Sequence, residues 1–118
     1  MLTIAPTDVN DFTIIEREWT VLYLFGELFY NGGASPYLGI HRDTGEICGL
    51  DVERDDSQIF LLNSDIDRFI RTFQKTDEML GGSSLLHGVL SKALKEIDPN
   101  AFQRSEWRHF SSYVEADT

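Results

Sequence analysis

The sequence predicts an α+β fold, in which an antiparallel sheet of four or more strands is flanked by C-terminal helices. Three observations predict it. Short runs of apolar, β-forming residues occupy the first half of the chain, and apolar residues recur at helical spacing after Ile66. The chain has 118 residues, a hydrophobic content of 42% and one cysteine, which fits one domain over 1–118 with its own core and no disulfide framework.

The N-terminal third predicts one weak helix and one clear strand. A short helix is expected over Thr7–Glu18, where Val9, Phe12 and Ile15 lie roughly on one side. Trp19–Phe25 predicts a strand buried on both faces, because both alternating sets of residues are largely apolar. We expect Gly26 and a flexible loop from Tyr30 to Pro36 to end this strand.

Tyr37–Val52 predicts a β-hairpin. Asp43-Thr44-Gly45 forms its loop, with Gly45 supplying a positive φ. Leu38 and Ile40 should share one face of the first strand, and Cys48, Leu50 and Val52 one face of the second. Glycines 39 and 49 lie inside the strands and indicate bulges or close backbone approach.

The segment that follows predicts a central strand leading directly into a helix. Ile59–Leu62 is an unbroken apolar run, which is typical of a strand buried on both faces. Ile66, Phe69, Ile70 and Phe73 then fall on one helical stripe, which we expect to face the sheet. Ser64 is expected to cap this helix by accepting a hydrogen bond from the amide of Asp67.

Two further helices are predicted near the C-terminus. The first carries a regular apolar stripe from Leu86 to Ile97, is preceded by a Ser83-Ser84 cap and ends at Asp98-Pro99. The second is a short helix whose aromatic side faces inward, formed by Phe102, Trp107, Phe110 and Val114.

Charge is distributed unevenly along the chain. Residues 1–67 hold 13 acidic and 3 basic residues, whereas residues 68–118 hold 7 of each. Such a field repels nucleic acid and anionic membranes and attracts basic partners, although acidity can also serve solubility alone. The sequence indicates no signal peptide and no membrane-spanning run, and with a single cysteine the expected location is the cytoplasm.

The sequence offers little for catalysis or cofactor binding. His41, His87 and His109 lie far apart without a second ligand at metal-site spacing, so no metal is expected. Cys48 is interpreted as a small core residue rather than a nucleophile. No phosphate-binding glycine motif and no deaminase signature are present. We therefore expect no enzyme and no cofactor, and keep a small enzyme as a remote alternative.

Partner binding is expected at a loop and a hairpin edge where aromatic and acidic residues lie together. These residues are Tyr30, Tyr37, Asp51, Glu53, Asp55 and Asp56. The alternative interpretation is that the acids form a solvated turn and that the two tyrosines partly cover the core.

The order of these elements resembles the SUKH superfamily, and within it the fourth subfamily of immunity proteins. There, a segment of the form F-[VIL]-N-S-[SD]-[LI]-x-x-F joins the last sheet strand to the following helix. Phe60–Phe69 is similar to that segment with one additional residue, and the resemblance extends from about Trp19 to Val114.

The resemblance implies an antiparallel sheet flanked by helices and a function in binding. Most bacterial members neutralise a protein toxin in the cytoplasm, often a nuclease or nucleobase deaminase. We therefore expect an immunity protein of a polymorphic or contact-dependent toxin system, whose cognate toxin is basic and targets nucleic acid. A regulatory or adaptor scaffold of the same superfamily is the alternative.

Overall fold

The computed structural model describes residues 2–6, 13–17, 20–30, 36–51, 59–81 and 88–116. A six-stranded antiparallel sheet precedes the helices, which confirms the predicted α+β fold. The strands are β1 (Leu2–Pro6), β2 (Thr13–Arg17), β3 (Thr20–Tyr30), β4 (Tyr37–His41), β5 (Ile47–Leu50) and β6 (Ile59–Asn63). The helices are α1 (Ile66–Leu80), α2 (Val89–Ile97), a 3-10 turn (Phe102–Arg104) and α3 (Glu106–Ala116).

The long strand β3 organises the N-terminal side of the sheet. The strand order is β1-β3-β4-β5-β6, and β2 also pairs with β3. β2 pairs with the first half of β3, from Thr20 to Leu24, and β1 pairs with the second half, from Gly26 to Tyr30. The two short strands therefore share one edge of the sheet, end to end.

The helix predicted over Thr7–Glu18 is wrong where the structure describes it, because residues 13–17 form β2. Three of its residues, Thr13, Ile14 and Ile15, are β-branched and favour a strand. The open edge of β3 supplies the hydrogen-bonding partner, so tertiary pairing decides between two weak local preferences. The other residues of the predicted helix, and Trp19, lie outside the described residues.

Gly26 does not end β3, contrary to the prediction. The pairing of β3 with β4 shifts between Leu24 and Gly26, which makes Phe25 the additional residue of a β-bulge. A Cβ at Gly26 would lie 2.9 Å from the carbonyl oxygen of Ala5, so the close approach of β1 requires glycine. The bulge also reverses the alternation of side chains along β3. Leu24, before the bulge, is buried on one face of the sheet, and Leu28, after it, is buried on the other.

The predicted hairpin is confirmed as β4 and β5. Gly45 has a φ of 75° in the connecting turn, as expected. Close approach explains the two strand glycines: a Cβ at Gly49 would overlap the ring of Phe60, and one at Gly39 would lie 3.1 Å from Leu24. Val52 and the predicted polar turn after it lie outside the described residues.

β6 is the last strand of the sheet and not a central one, which corrects the prediction for Ile59–Leu62. Its apolar run is nevertheless needed on both faces. Leu62 belongs to the larger core cluster beneath the helices, and Ile59 packs against the smaller cluster formed by Leu22, Leu24 and Cys48. An unbroken apolar run indicates that a strand is buried on both faces. It does not indicate whether the strand lies in the middle of the sheet or at its edge.

The helical layer packs on one face of the sheet through Phe69. Its ring lies 6.3 Å from that of Phe25 and 6.5 Å from those of Phe73 and Trp107, measured between centroids. Phe69 and Leu62 share the larger core cluster, and Phe60 and Phe73 pack against it, which confirms that Phe69 and Phe73 face the sheet. The buried residues of the larger cluster are Leu28, Leu38, Ile47, Leu62, Phe69, Leu90, Leu94, Phe102, Trp107 and Val114.

Two of the four residues in the predicted apolar stripe of α1 are exposed, so that part of the prediction is wrong. Ile66 and Ile70 are 44% and 46% exposed, whereas the residues buried with Phe69 are Thr72 and Thr76. Burial of the threonines is possible because their hydroxyls are hydrogen-bonded. Thr72 Oγ1 accepts a bond from Asn63, and Thr76 Oγ1 donates to the carbonyl of Thr72. The rotation of α1 is thus set by polar contacts that the apolar pattern does not contain.

The last two helices are confirmed, with one exception in the predicted apolar stripe of α2. α2 buries Leu90 and Leu94 and is capped by Asp98, but Val89 is 43% exposed. α3 turns Trp107 and Val114 into the core. The predicted Ser83-Ser84 cap and Leu86 lie outside the described residues. Among the described helices, none is long and apolar enough to cross a membrane.

Candidate partner-binding surface

The predicted binding residues that the structure describes lie at one end of the sheet. Tyr30 is the last residue of β3, Tyr37 is the first of β4, and Asp51 follows the last residue of β5. Register brings the latter two together, because Tyr37 pairs with Leu50. Glu53, Asp55 and Asp56 lie outside the described residues.

Tyr37 is partly a core residue. It is half-buried and packs against the cluster of Leu22, Leu24 and Cys48. Glu27, also half-buried, is its register partner on β3. This end of the sheet therefore combines an aromatic side chain with acidic groups, but only part of the tyrosine is available for contact.

The most extensive polar cluster of the described residues is a buried junction between β6 and the helices. Asn63 is at its centre: its Nδ2 donates to Thr72 Oγ1 (3.1 Å) and to Asp98 Oδ2 (3.0 Å), and its Oδ1 accepts from Trp107 Nε1 (2.7 Å). Ser105 Oγ donates to the carbonyl of Leu62. The side chain of Asn63 thus connects one strand with three helical segments.

Ser64 belongs to the same junction and does not cap α1, which corrects the prediction. Its hydroxyl donates to Asp98 Oδ1 (2.6 Å) and its amide donates to Asp98 Oδ2 (2.8 Å). The cap is the next residue, Asp65, whose Oδ1 accepts from the amide of Arg68 (2.8 Å). Sequence reasoning assigns Asp98 only to the end of α2 and misses its contact with Ser64, which is 34 residues away.

The junction is filled and satisfied, so it supports the fold rather than a reaction. The space between its residues leaves no room for a water molecule. Burial by itself raises the pKa of Asp98, but the hydrogen bonds from Ser64, Asn63 and the Ala101 amide outweigh it and lower that pKa below the usual value for aspartate. Asp98 is therefore a buried carboxylate that is charged at neutral pH and held by donors.

The described histidines and the cysteine also have structural roles. His41 Nδ1 accepts from the amides of Asp43 (3.1 Å) and Thr44 (3.3 Å), which stabilises the β4–β5 turn. Cys48 is buried, and burial raises the pKa of its thiol to about 11, so it is protonated at neutral pH. His109 is exposed on α3, and His87 lies outside the described residues. Within the described part of the chain, no three metal-ligating side chains come together.

Exposed apolar residues form the feature that sequence reasoning misses. Ile66 and Ile70 project from α1, and Ile14 is exposed on β2. Local spacing assigns both α1 isoleucines to the core, and the predicted N-terminal helix includes Ile14. The only sequence feature that agrees with the exposure of the two α1 isoleucines is the pair of threonines at 72 and 76. Threonines can occupy the buried side of a helix, but their presence does not require it.

Comparison of the chain with protein-family models, with curated proteins and with solved structures finds no match.

Proposed function

We propose that this chain is an immunity-type protein that binds and neutralises a basic protein toxin acting on nucleic acid, such as a nuclease or a deaminase, in the cytoplasm. The uneven charge carries the proposal, because residues 1–67 have a net charge of −10 and residues 68–118 have none. Among the side chains described up to residue 51, five are acidic and one is an arginine. The acids are Glu16, Glu27, Asp43, Glu46 and Asp51, and the arginine is Arg42.

An acidic sheet suits this kind of partner for an electrostatic reason. Enzymes that act on nucleic acid bind its phosphates with lysine and arginine side chains. An acidic protein is attracted to the same surface, and the attraction accelerates association at low salt. Arg42 offsets one of these five acidic charges, that of Asp43, with which it forms an ion pair at 3.0 Å, so the described side chains up to residue 51 keep a net charge of −4.

The segment Phe60–Phe69 supports the assignment to the SUKH superfamily. Its Asn63 and Ser64 join the last strand of the sheet to the first helix, which is the position that the resemblance implies. Both side chains are occupied by contacts within the fold. These two residues therefore serve the fold, and on this proposal the contact with a toxin uses other residues.

The gene next to this one supplies the first test. We expect it to encode a basic toxin domain whose expression arrests growth and whose effect is relieved by coexpression of this chain. The same domain, purified as a catalytically inactive variant, should bind the chain in calorimetry. A neighbouring product that neither arrests growth nor binds would contradict the proposal, and binding to a non-toxic regulatory protein would favour the scaffold alternative.

The predicted acidic site at the hairpin exit has a separate kinetic test. Replacing Asp55 and Asp56 by lysine should slow association with the inactive toxin and flatten its salt dependence, with little change in dissociation. The matched control replaces Glu78 and Glu96 by lysine, which is the same change in charge on exposed positions of the balanced C-terminal part. Equal effects of both pairs would mean that net charge alone acts, and unaltered association would remove the site.

A further inference from the structure

The strand β6 has the sequence of a central strand but lies at an edge of the sheet. Among the described strands, it pairs with β5 alone. In a strand that is paired on one side, the N–H and C=O groups of every other residue point away from the sheet. Ile59, Phe60 and Leu61 are apolar and half-buried, so this stretch combines outward backbone groups with side chains that favour a paired strand.

The opposite edge of the sheet carries residues of the kind that hinder strand addition. β1 ends at Pro6, which has no N–H to donate, and β2 carries the exposed charge of Glu16. Proline and charged residues on an edge strand discourage pairing with another chain. β6 has neither between Ile59 and Leu62. The two edges therefore differ in the way expected if one is protected and the other accepts a strand.

One end of the β6 edge is already used by the fold. The pairing with β5 shifts between Ile47 and Cys48, which makes Leu62 the additional residue of a β-bulge. The carbonyl of Leu62 accepts a hydrogen bond from Ser105 Oγ, at the end of the 3-10 turn. The stretch available to another strand is therefore Ile59–Leu61, and a strand added there stops at the Leu62 end.

The side chain of Leu61 is available for contact with such a strand. Ile59 packs against the smaller core cluster and Phe60 against the larger one, whereas Leu61 belongs to neither. Leu61 and Ile59 share a face of the sheet, because alternate residues of a strand point to the same side. An apolar side chain on a neighbouring strand would cover Leu61 as a cross-strand pair.

A second copy of the chain fits this edge poorly. Two β6 strands related by a twofold axis would pair about Phe60, and Ser105 of each copy would close one end of the shared ladder. The ladder would then contain three residues of each copy, whereas a standard interface uses roughly 20–30 residues per partner. A strand from a different protein meets this limit at one end only, and the rest of that protein can supply further contacts.

We propose that the outer edge of β6 receives an extended strand of the basic toxin, which pairs through its backbone with Ile59–Leu61 and places an apolar side chain against Leu61. The inference rests on the proposed function and adds the mode of binding to it. Backbone pairing supplies affinity, and the side chains of alternate residues supply specificity. The acids of the first half of the chain accelerate the encounter, and the added strand prolongs the complex.

Amide hydrogen exchange, resolved by residue, tests the strand in the wild-type chain. The chain is measured alone and in complex with the catalytically inactive toxin encoded beside its gene. In the free chain, at least one amide among Ile59, Phe60 and Leu61 should exchange rapidly, because it points away from β5. In the complex, exchange of that amide should slow by roughly tenfold or more, and the amides of β1 at the opposite edge should be unchanged.

A charge on the edge provides the second measurement. Leu61→Lys should raise the Kd for the inactive toxin roughly tenfold, mainly through faster dissociation. Ile14→Lys is the matched control, because Ile14 is 53% exposed on β2 at the opposite edge and the change in charge is the same. It should stay within about threefold of wild type. Equal losses for the two variants would overturn the proposed strand.

The exchange measurement needs no variant, so it decides the matter even if Leu61→Lys does not fold. New protection of β6 with β1 unchanged supports the added strand. Binding without new protection at Ile59–Leu61 overturns it while the proposed function stands, and absence of binding by the wild-type chain overturns both. Protection in the free chain that grows with concentration would show that a second copy occupies the edge. Protection of the free chain at every concentration would show that the chain closes the edge itself, and either result overturns the toxin strand.

Discussion

Asp98→Asn tests whether the polar junction holds the helices on the sheet. The asparagine has the shape of aspartate but is neutral, and it offers one acceptor oxygen where the carboxylate offers two. Asp98 Oδ1 accepts from the Ser64 hydroxyl, and Oδ2 accepts from the Ser64 amide and from Asn63 Nδ2. Whichever way the new amide turns, its NH2 group faces at least one donor.

The expected cost follows from those contacts. Hydrogen bonds to a charged group contribute about 1.5–3 kcal/mol each, and a buried donor left without an acceptor costs about 1–3 kcal/mol. Asp98 is only 2% exposed, so water cannot readily replace the lost acceptor. Part of the loss is recovered because the neutral side chain is easier to bury. We therefore expect Asp98→Asn to lower the free energy of unfolding by about 2–4 kcal/mol at pH 7.

The same contacts predict how the effect depends on pH. The donors lower the pKa of Asp98 in the folded state below its value in the unfolded chain. The carboxylate therefore contributes its full stabilisation above the unfolded pKa of about 3.9, and the contribution is lost as pH falls through the folded pKa. The difference in stability between wild type and Asp98→Asn should shrink below about pH 4.

Urea denaturation followed by tryptophan fluorescence measures both quantities, because Trp107 donates to the same junction. Asp67→Asn is the control. The side chain of Asp67 is 78% exposed and lies 3.7 Å from Arg71, so its loss should cost less than about 0.5 kcal/mol. A cost below about 1 kcal/mol for Asp98→Asn, or a difference that does not change on acidification, would refute the role given to this carboxylate.

Three further predictions concern the core. Phe69→Ala should lower the free energy of unfolding by about 3–5 kcal/mol, because it removes the ring at the centre of the aromatic cluster. Ile70→Ala, on the exposed side of α1, should lower it by less than about 1 kcal/mol, and similar values for both variants in chemical denaturation would place the buried face of α1 elsewhere. Gly49→Ala should cost about 1–3 kcal/mol, since the new methyl group displaces the ring of Phe60, and the cost should fall in the Phe60→Leu background if that clash is the cause. Cys48 should react with a thiol reagent at pH 8 only as fast as the chain unfolds, and rapid labelling of the native protein would contradict its burial and its pKa of about 11.

Local patterns in the sequence determined the types of most elements. The β4–β5 hairpin follows from two apolar strands around Asp43-Thr44-Gly45, and the turn requires the positive φ that glycine provides. The inward aromatic side of α3 follows from the spacing of its apolar residues, with Trp107 and Val114 both buried. These predictions succeed because turn chemistry and helical periodicity act within a few residues.

The composition of the sequence indicated only some of the candidate binding residues. The acidic character of the first 67 residues is visible in the sequence, since net charge needs no structure. The exposure of Ile66 and Ile70 is not visible, because both share a stripe with the buried Phe69. Thr72 and Thr76 take the buried positions instead, and their burial depends on hydrogen bonds formed only after folding.

Tertiary structure alone decided which distant segments meet. Gly26 looks like a strand break, and only the tertiary structure shows that β3 continues through it, next to the bulge at Phe25 in the pairing with β4 and in close contact with Ala5 of β1. Ser64 has the spacing of a helix cap, and only the arrival of Asp98 diverts its hydroxyl and amide to a buried carboxylate. The physical reason is the same in both cases. A glycine or a serine has several local conformations of similar free energy, and the partner brought by the fold selects one of them.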